Sequence, residues 1–98
     1  MDRLSQEEKN KFLFSYVVMS HQTSALVNLG LVKDPTTQKT EVNLDNARLA
    51  IDVLEMLADK TKNNLSKDEH DFLQSTLQQI RLAFIKVAEK ADSADRPK

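Results

Sequence analysis

An all-α fold of three helices is what this sequence predicts, and three observations carry that expectation. Glycine occurs once and proline twice in 98 residues, too few for the many tight turns of an all-β design. Two capping boxes, Ser5-Gln6-Glu7-Glu8 and Ser66-Lys67-Asp68-Glu69, mark helix starts because the serine hydroxyl and the glutamate three residues on satisfy each other's backbone amides. Beyond the second box, and again over residues 44–58, apolar residues recur at spacings of three and four, the period of a helix with one buried side.

The first helix is expected over residues about 6–29. It starts at the Ser5 box and stops at Gly30, which can adopt the left-handed conformation of a Schellman cap and bring Leu31 back towards Leu26. Its interior lacks a polar side. At about 100° per residue, Phe12, Leu13, Phe14, Tyr16, Val17, Val18 and Met19 point around the whole axis. Two amphipathic helices do not wrap such a helix completely, so a second subunit is the expected cover. Phe12, Phe14, Tyr16, Val17, Val18 and Met19 are the candidate oligomer interface, and the chain is expected to be a homodimer through helix 1. The aromatic and β-branched residues here also suit a buried strand, but the capping box and Gly30 bracket one continuous element.

Residues 31–43 form the irregular stretch. Asp34-Pro35-Thr36-Thr37 has aspartate first and proline second, as a type I turn prefers, and Leu31-Val32 and Thr40-Glu41-Val42 flank it as a turn or minimal β-hairpin. Asn43 is the expected N-cap of a second helix over about 44–62, with Leu44, Ala47, Ile51, Leu54 and Ala58 as its apolar stripe and Ala50, Val53 and Leu57 widening it. Asn63-Asn64 supplies its left-handed stop. The third helix is expected over about 67–90 with Phe72, Leu73, Leu77, Ile80, Phe84, Val87 and Ala88 inward, antiparallel to the second because the joint is short. One helical domain, residues 1–91, and a flexible polar tail, residues 92–98, complete the expected organisation.

Composition removes several functions. The chain has no cysteine, so disulfides, thiolate metal sites and thiol catalysis are absent. Fourteen basic residues against 15 acidic give a net charge of −1, and no cluster of lysines and arginines suggests displacement of phosphate counterions, so nucleic acid is an unfavoured partner. The polar, acidic start is unlike a secretory signal and no apolar run reaches the length of a membrane span. A cytoplasmic protein without a membrane span or cofactor is the expectation.

The polar residues invite a closer look at residues 20–28. Ser20, Ser24 and Asn28 form a ridge at four-residue spacing beside His21, Gln22 and Thr23, which would resemble a base next to a nucleophile. Side chains roughly 5–6 Å apart on one helix do not build a triad without a third group, and hydroxyls bonding back to the preceding turn are the simpler expectation. His21 and His70 both lack partners at metal-ligand spacing on a helix. Asp52, Glu55 and Asp59 share one side of helix 2 with Arg48, which reads as a solvated face.

The order of Ala25-Leu26-Val27-Asn28-Leu29-Gly30, the Asp34-Pro35 turn, Val42-Asn43-Leu44, Ala47-Arg48, Ile51-Asp52-Val53-Leu54-Glu55-Met56-Leu57 and Lys60-Thr61-Lys62-Asn63-Asn64-Leu65 resembles a bacterial family known as domain of unknown function 1844, over residues 12–85. That family often has glycine near position 38, where this chain has Gln38. The resemblance implies a mostly helical bacterial protein and no activity. Asn43, Arg48, Asp52 and Glu55 match its pattern, and the resemblance makes them a candidate structural polar network joining helix 2 to the 31–43 loop. The leading functional expectation is a non-enzymatic, self-associating interaction module or accessory subunit with an unidentified protein partner. A nucleic-acid-associated protein is the alternative, and a small enzyme with a site around His21 comes third.

Overall fold

The computed structural model describes residues 5–95, with side chains as far as residue 92. It contains α1 (Gln6–Asn28), α2 (Leu44–Lys60) and α3 (Lys67–Asp95) in that order, so the all-α expectation holds and residues 12–19 are helix rather than strand. Both capping boxes form. Ser5 Oγ accepts from the Glu8 amide at 3.1 Å while the Ser5 amide donates to Glu8 Oε1 at 3.2 Å, and Ser66 and Glu69 repeat the exchange at 3.2 and 3.0 Å. Asn43 caps α2 by accepting from the Asn46 amide at 2.9 Å.

The end of α1 is the Schellman arrangement that Gly30 suggests. Gly30 sits at φ 73°, its amide donates to Val27 O, and the Leu31 amide reaches back to Leu26 O at 3.0 Å. These bonds turn the chain away from strand geometry, which is why the hairpin flanked by Leu31-Val32 does not form. A single antiparallel bridge joins Leu29 to Val42 instead, reinforced by the Asn43 amide donating to Asn28 O at 2.7 Å. The Asp34-Pro35 turn is wider than type I. The Gln38 amide donates to Asp34 O at 2.8 Å, one residue further than a β-turn reaches, and Asp34 Oδ1 accepts from the Thr36 amide. Gln38 takes φ 62°, so the position where the resembled family often has glycine does need the left-handed region.

Other boundaries move slightly. α2 stops at Lys60, two residues before the expected end, with Thr61 as its C-cap and the Thr61 hydroxyl donating to Leu57 O at 2.7 Å; Asn63 at φ 67° then makes the expected reversal. α3 runs on to Asp95 instead of stopping near 90. The expected tail therefore begins as helix, and residues 96–98 lie outside the described residues.

The short joint sets α2 antiparallel to α3, with Glu55 bonded to Arg81. α1 lies antiparallel to α2, its Asn28 near Asn46 and its His21 near Val53. It runs parallel to α3, with Lys11 near Asp68 and Gln22 bonded to Gln79. Val18 and Ala25 of α1, Ala50, Ile51 and Leu54 of α2, and Leu73, Leu77 and Ile80 of α3 form the buried centre, with Phe14, Phe72 and Phe84 packed on it. Ala25 and Ala47 are fully buried and Ala50 nearly so, and their small size permits close approach of the backbones. The result is a slab of 59 × 30 × 16 Å with a radius of gyration of 15.9 Å, against about 13 Å for a typical compact chain of a hundred residues.

Two outcomes follow from these ends. A Cβ on Gly30 would lie 3.0 Å from Val42 Cγ2 and would force a side chain into the left-handed region. Gly30→Ala is expected to lower unfolding free energy by about 1–2 kcal/mol in urea titrations, with Gly30→Ala/Val42→Ala recovering only the steric part. The amide bond from Ser5 holds the Glu8 carboxyl below its ordinary range. A depressed folded-state value means the cap contributes above the unfolded value, about pH 4.3, and is lost as pH falls through the folded one. The 13Cα shifts of residues 6–9 should therefore lose helical character at acid pH in the wild type and show no such carboxylate titration in Glu8→Gln.

Candidate functional site

The side of α1 turned away from α2 and α3 is the feature with the least internal explanation. Phe12, Tyr16 and Met19 are 53, 63 and 54% exposed at helical spacings of four and three, on one face of the helix. With Ser15, Ser20 and Thr23 they line a shallow groove of about 640 Å³. Leu13 and Val17 extend the apolar surface around the helix, also exposed. From residue 12 to residue 32 the chain has no Asp, Glu, Lys or Arg, so the exposed face of α1 from Phe12 onward is uncharged and rich in apolar side chains. Charge is what most surface helices put on the solvent side; its depletion is a property of the centres of interfaces.

The six expected interface residues divide. Phe12, Tyr16, Val17 and Met19 are exposed, whereas Val18 is fully buried in the monomer core and Phe14 packs against that core. Val18 and Phe14 are corrected to structural residues, because α2 and α3 take up the side of α1 on which they lie. Other exposed apolar side chains lie in segments that carry charge: Leu49 and Met56 on α2, and Leu82 and Ile85 on α3, the last two one turn apart, with Leu82 sharing a groove with Leu31, Val87 and Lys86. The uncharged run over residues 12–32 was the readable sign for α1.

The four residues of the expected polar network are also split. Asn43 is engaged as the cap of α2. Arg48 Nε lies 3.2 Å from Asp52 Oδ1, Arg48 Nη2 lies 4.0 Å from Glu55 Oε1, and Arg81 Nη2 lies 2.7 Å from Glu55 Oε2. The Arg48 guanidinium is 6.0 Å from the centre of the Phe84 ring, within reach of a cation–π contact. The network therefore ties α2 to α3 rather than to the loop, and it is exposed, not buried. Its reason is register: Arg48, Asp52 and Glu55 occupy successive turns of α2 along the edge that α3 approaches. Asp59 is exposed, as a solvated face requires.

Around His21 the polar groups turn inward on their own helix. The Ser20 hydroxyl donates to Tyr16 O at 2.7 Å, and Asn28 Nδ2 donates to Ser24 O at 2.8 Å. His21 Nδ1 lies 2.9 Å from Val17 O, so the proton is on Nδ1 in this contact. The imidazole shares a small groove with Ser24, Asn28, Asn46, Leu49 and Val53, none of them an acid able to orient it as a base. Among the described residues no group of three or more His, Asp or Glu converges as a metal site, and no helix is long and apolar enough to cross a membrane. His70 is exposed near the start of α3.

A family model described as a domain of unknown function, DUF1844, matches residues 11–86, from the start of the uncharged part of α1 to the outer half of α3. The chain belongs to the DUF1844 family. No curated protein and no solved structure matches it. The match spans all three helices of the DUF1844 chain, including the exposed face of α1 and the Arg48–Glu55–Arg81 link.

That link is worth little energy because water reaches it: the side chains of Arg81 and Glu55 are 46 and 34% exposed. A double-mutant cycle of Glu55→Ala and Arg81→Ala is expected to give a coupling below about 1 kcal/mol in chemical denaturation, falling with added salt.

Proposed function

We propose that this DUF1844 protein is a non-enzymatic, self-associating helical module or accessory subunit of the cytoplasm, and that the exposed face of α1 is where it associates. The observation that carries the reading is the coincidence of three large exposed apolar side chains, Phe12, Tyr16 and Met19, with a 12–32 segment free of charged residues. A solvent-facing helix gains nothing from that composition; a helix covered by another protein does.

The slab shape leaves a large surface for the mass of the chain. The chain exposes 7459 Å², whereas a compact protein of 11.1 kDa exposes about 5,700 Å². Part of the surplus lies along the C-terminal end of α3, which continues past the end of α1. A second copy is the partner that a neutral apolar face suits best, since neither side must supply complementary charge and both hide the same surface.

The alternative readings draw less support. Arg48, Arg81 and Lys67 are each engaged with an acid, which leaves them poorly placed for phosphate contacts. The hydrogen bonds of Ser20, His21 and Asn28 to their own helix give no nucleophile–base pair.

Sedimentation equilibrium at micromolar concentration tests the proposal. The wild type is expected as a dimer. Tyr16→Asp, which sets an uncompensated charge in the middle of the face, is expected to weaken association at least about tenfold while leaving the helical circular dichroism unchanged. A wild-type monomer would remove the proposal.

A further inference from the structure

Self-association through α1 leaves open how two copies meet, and the residues of the groove constrain it. Phe12, Ser15, Tyr16, Met19, Ser20 and Thr23 line this surface. They are arranged about a midpoint between residues 17 and 18: Phe12 and Thr23 are equally distant from it, as are Ser15 and Ser20, and Tyr16 and Met19. Resting on the self-association reading, we infer that two copies pair their α1 helices antiparallel, across a two-fold axis at that midpoint.

In this arrangement each Phe12 meets the partner copy's smaller threonine, and each Tyr16 ring meets a methionine thioether, a favourable sulfur–aromatic contact. Ser15 and Ser20 flank this seam on its two edges, and their size lets the helices approach at the 8–10 Å separation typical of packed helices. The layers 12 with 23 and 16 with 19 reproduce the four-three-four spacing of an antiparallel helical seam. A parallel pair would instead set every residue against itself. Aromatic rings would then crowd at one level while serine and threonine left gaps at another, a mismatch that close packing penalises.

Charge at the start of α1 favours the same orientation. Lys9 is exposed one turn before Phe12. Parallel pairing places Lys9 opposite its own copy, whereas the antiparallel axis places it opposite the uncharged Leu26 level. Antiparallel helices also bring opposite ends of their dipoles together.

The chain has no cysteine, so introduced thiols report the orientation without background. Phe12→Cys and Thr23→Cys are prepared singly, shown to sediment as the wild type does, and oxidised alone and as an equal mixture. In the antiparallel pair, residue 12 of one copy faces residue 23 of the other across the seam, while like positions lie about 16 Å apart along the helix axis, too far for a disulfide. The mixture is expected to cross-link, up to about half of its dimers because random exchange makes that share mixed, and each variant alone is expected not to. Cross-linking of each variant with itself would overturn the antiparallel orientation and leave self-association standing. A dimer that cross-links in neither sample would overturn the use of this face. A monomeric wild type in the prior sedimentation run would overturn both readings.

Discussion

A helix packed against two neighbours leaves one side to solvent, and from residue 12 onward α1 has no charged group to put there. Much of the molecule follows from that constraint. Val18 and Ala25 are spent on the core, small residues of α2 let α1 close on it, and what remains outward is Phe12, Tyr16 and Met19. The other two helices meet the ordinary requirement: each has an apolar stripe inward and charged groups outward, and they hold each other through Arg81 and Glu55. α1 differs in kind, since no rotation about its axis would bury all its apolar residues in a three-helix monomer.

Both ends of α1 are fixed, which gives its outer face a defined position. At the start the reciprocal Ser5–Glu8 bonds satisfy two backbone amides, and at the end Gly30 and the Leu29–Val42 bridge bind the helix to the chain just before α2. A helix held in this way presents its side chains as a set. The Ser20 hydroxyl bonds back to the Tyr16 carbonyl of the previous turn, so it adds little free polarity to the face and offers little resistance to another helix.

Much of this was legible in the residues themselves. Capping boxes, the Gly30 stop, the Asn43 cap and the apolar period of α2 and α3 are local signals, and the structure follows them to within one or two residues, apart from the longer α3. Of the turn or minimal hairpin expected at residues 31–42, the hairpin alternative failed because the Schellman bonds at Leu31 commit that backbone away from a ladder. Phe14 and Val18 were misread for a different reason. In a helix apolar all round, composition does not say which side meets the rest of the chain; that depends on where α2 and α3 dock. The placement of Arg81 against Glu55 has the same origin, as two helices must pack before residues 26 apart in sequence can meet. The uncharged segment from 12 to 32 was available in the sequence from the start, and it is the feature on which the proposed association rests.

The central claim is that the outer face of α1 is covered by the same face of a second copy. Isotope-filtered NMR on a mixture of labelled and unlabelled chains tests it at the atoms concerned. The account predicts intermolecular contacts from the Met19 methyl to the Tyr16 ring. Their absence, together with relaxation times of an 11.1 kDa particle, would contradict it.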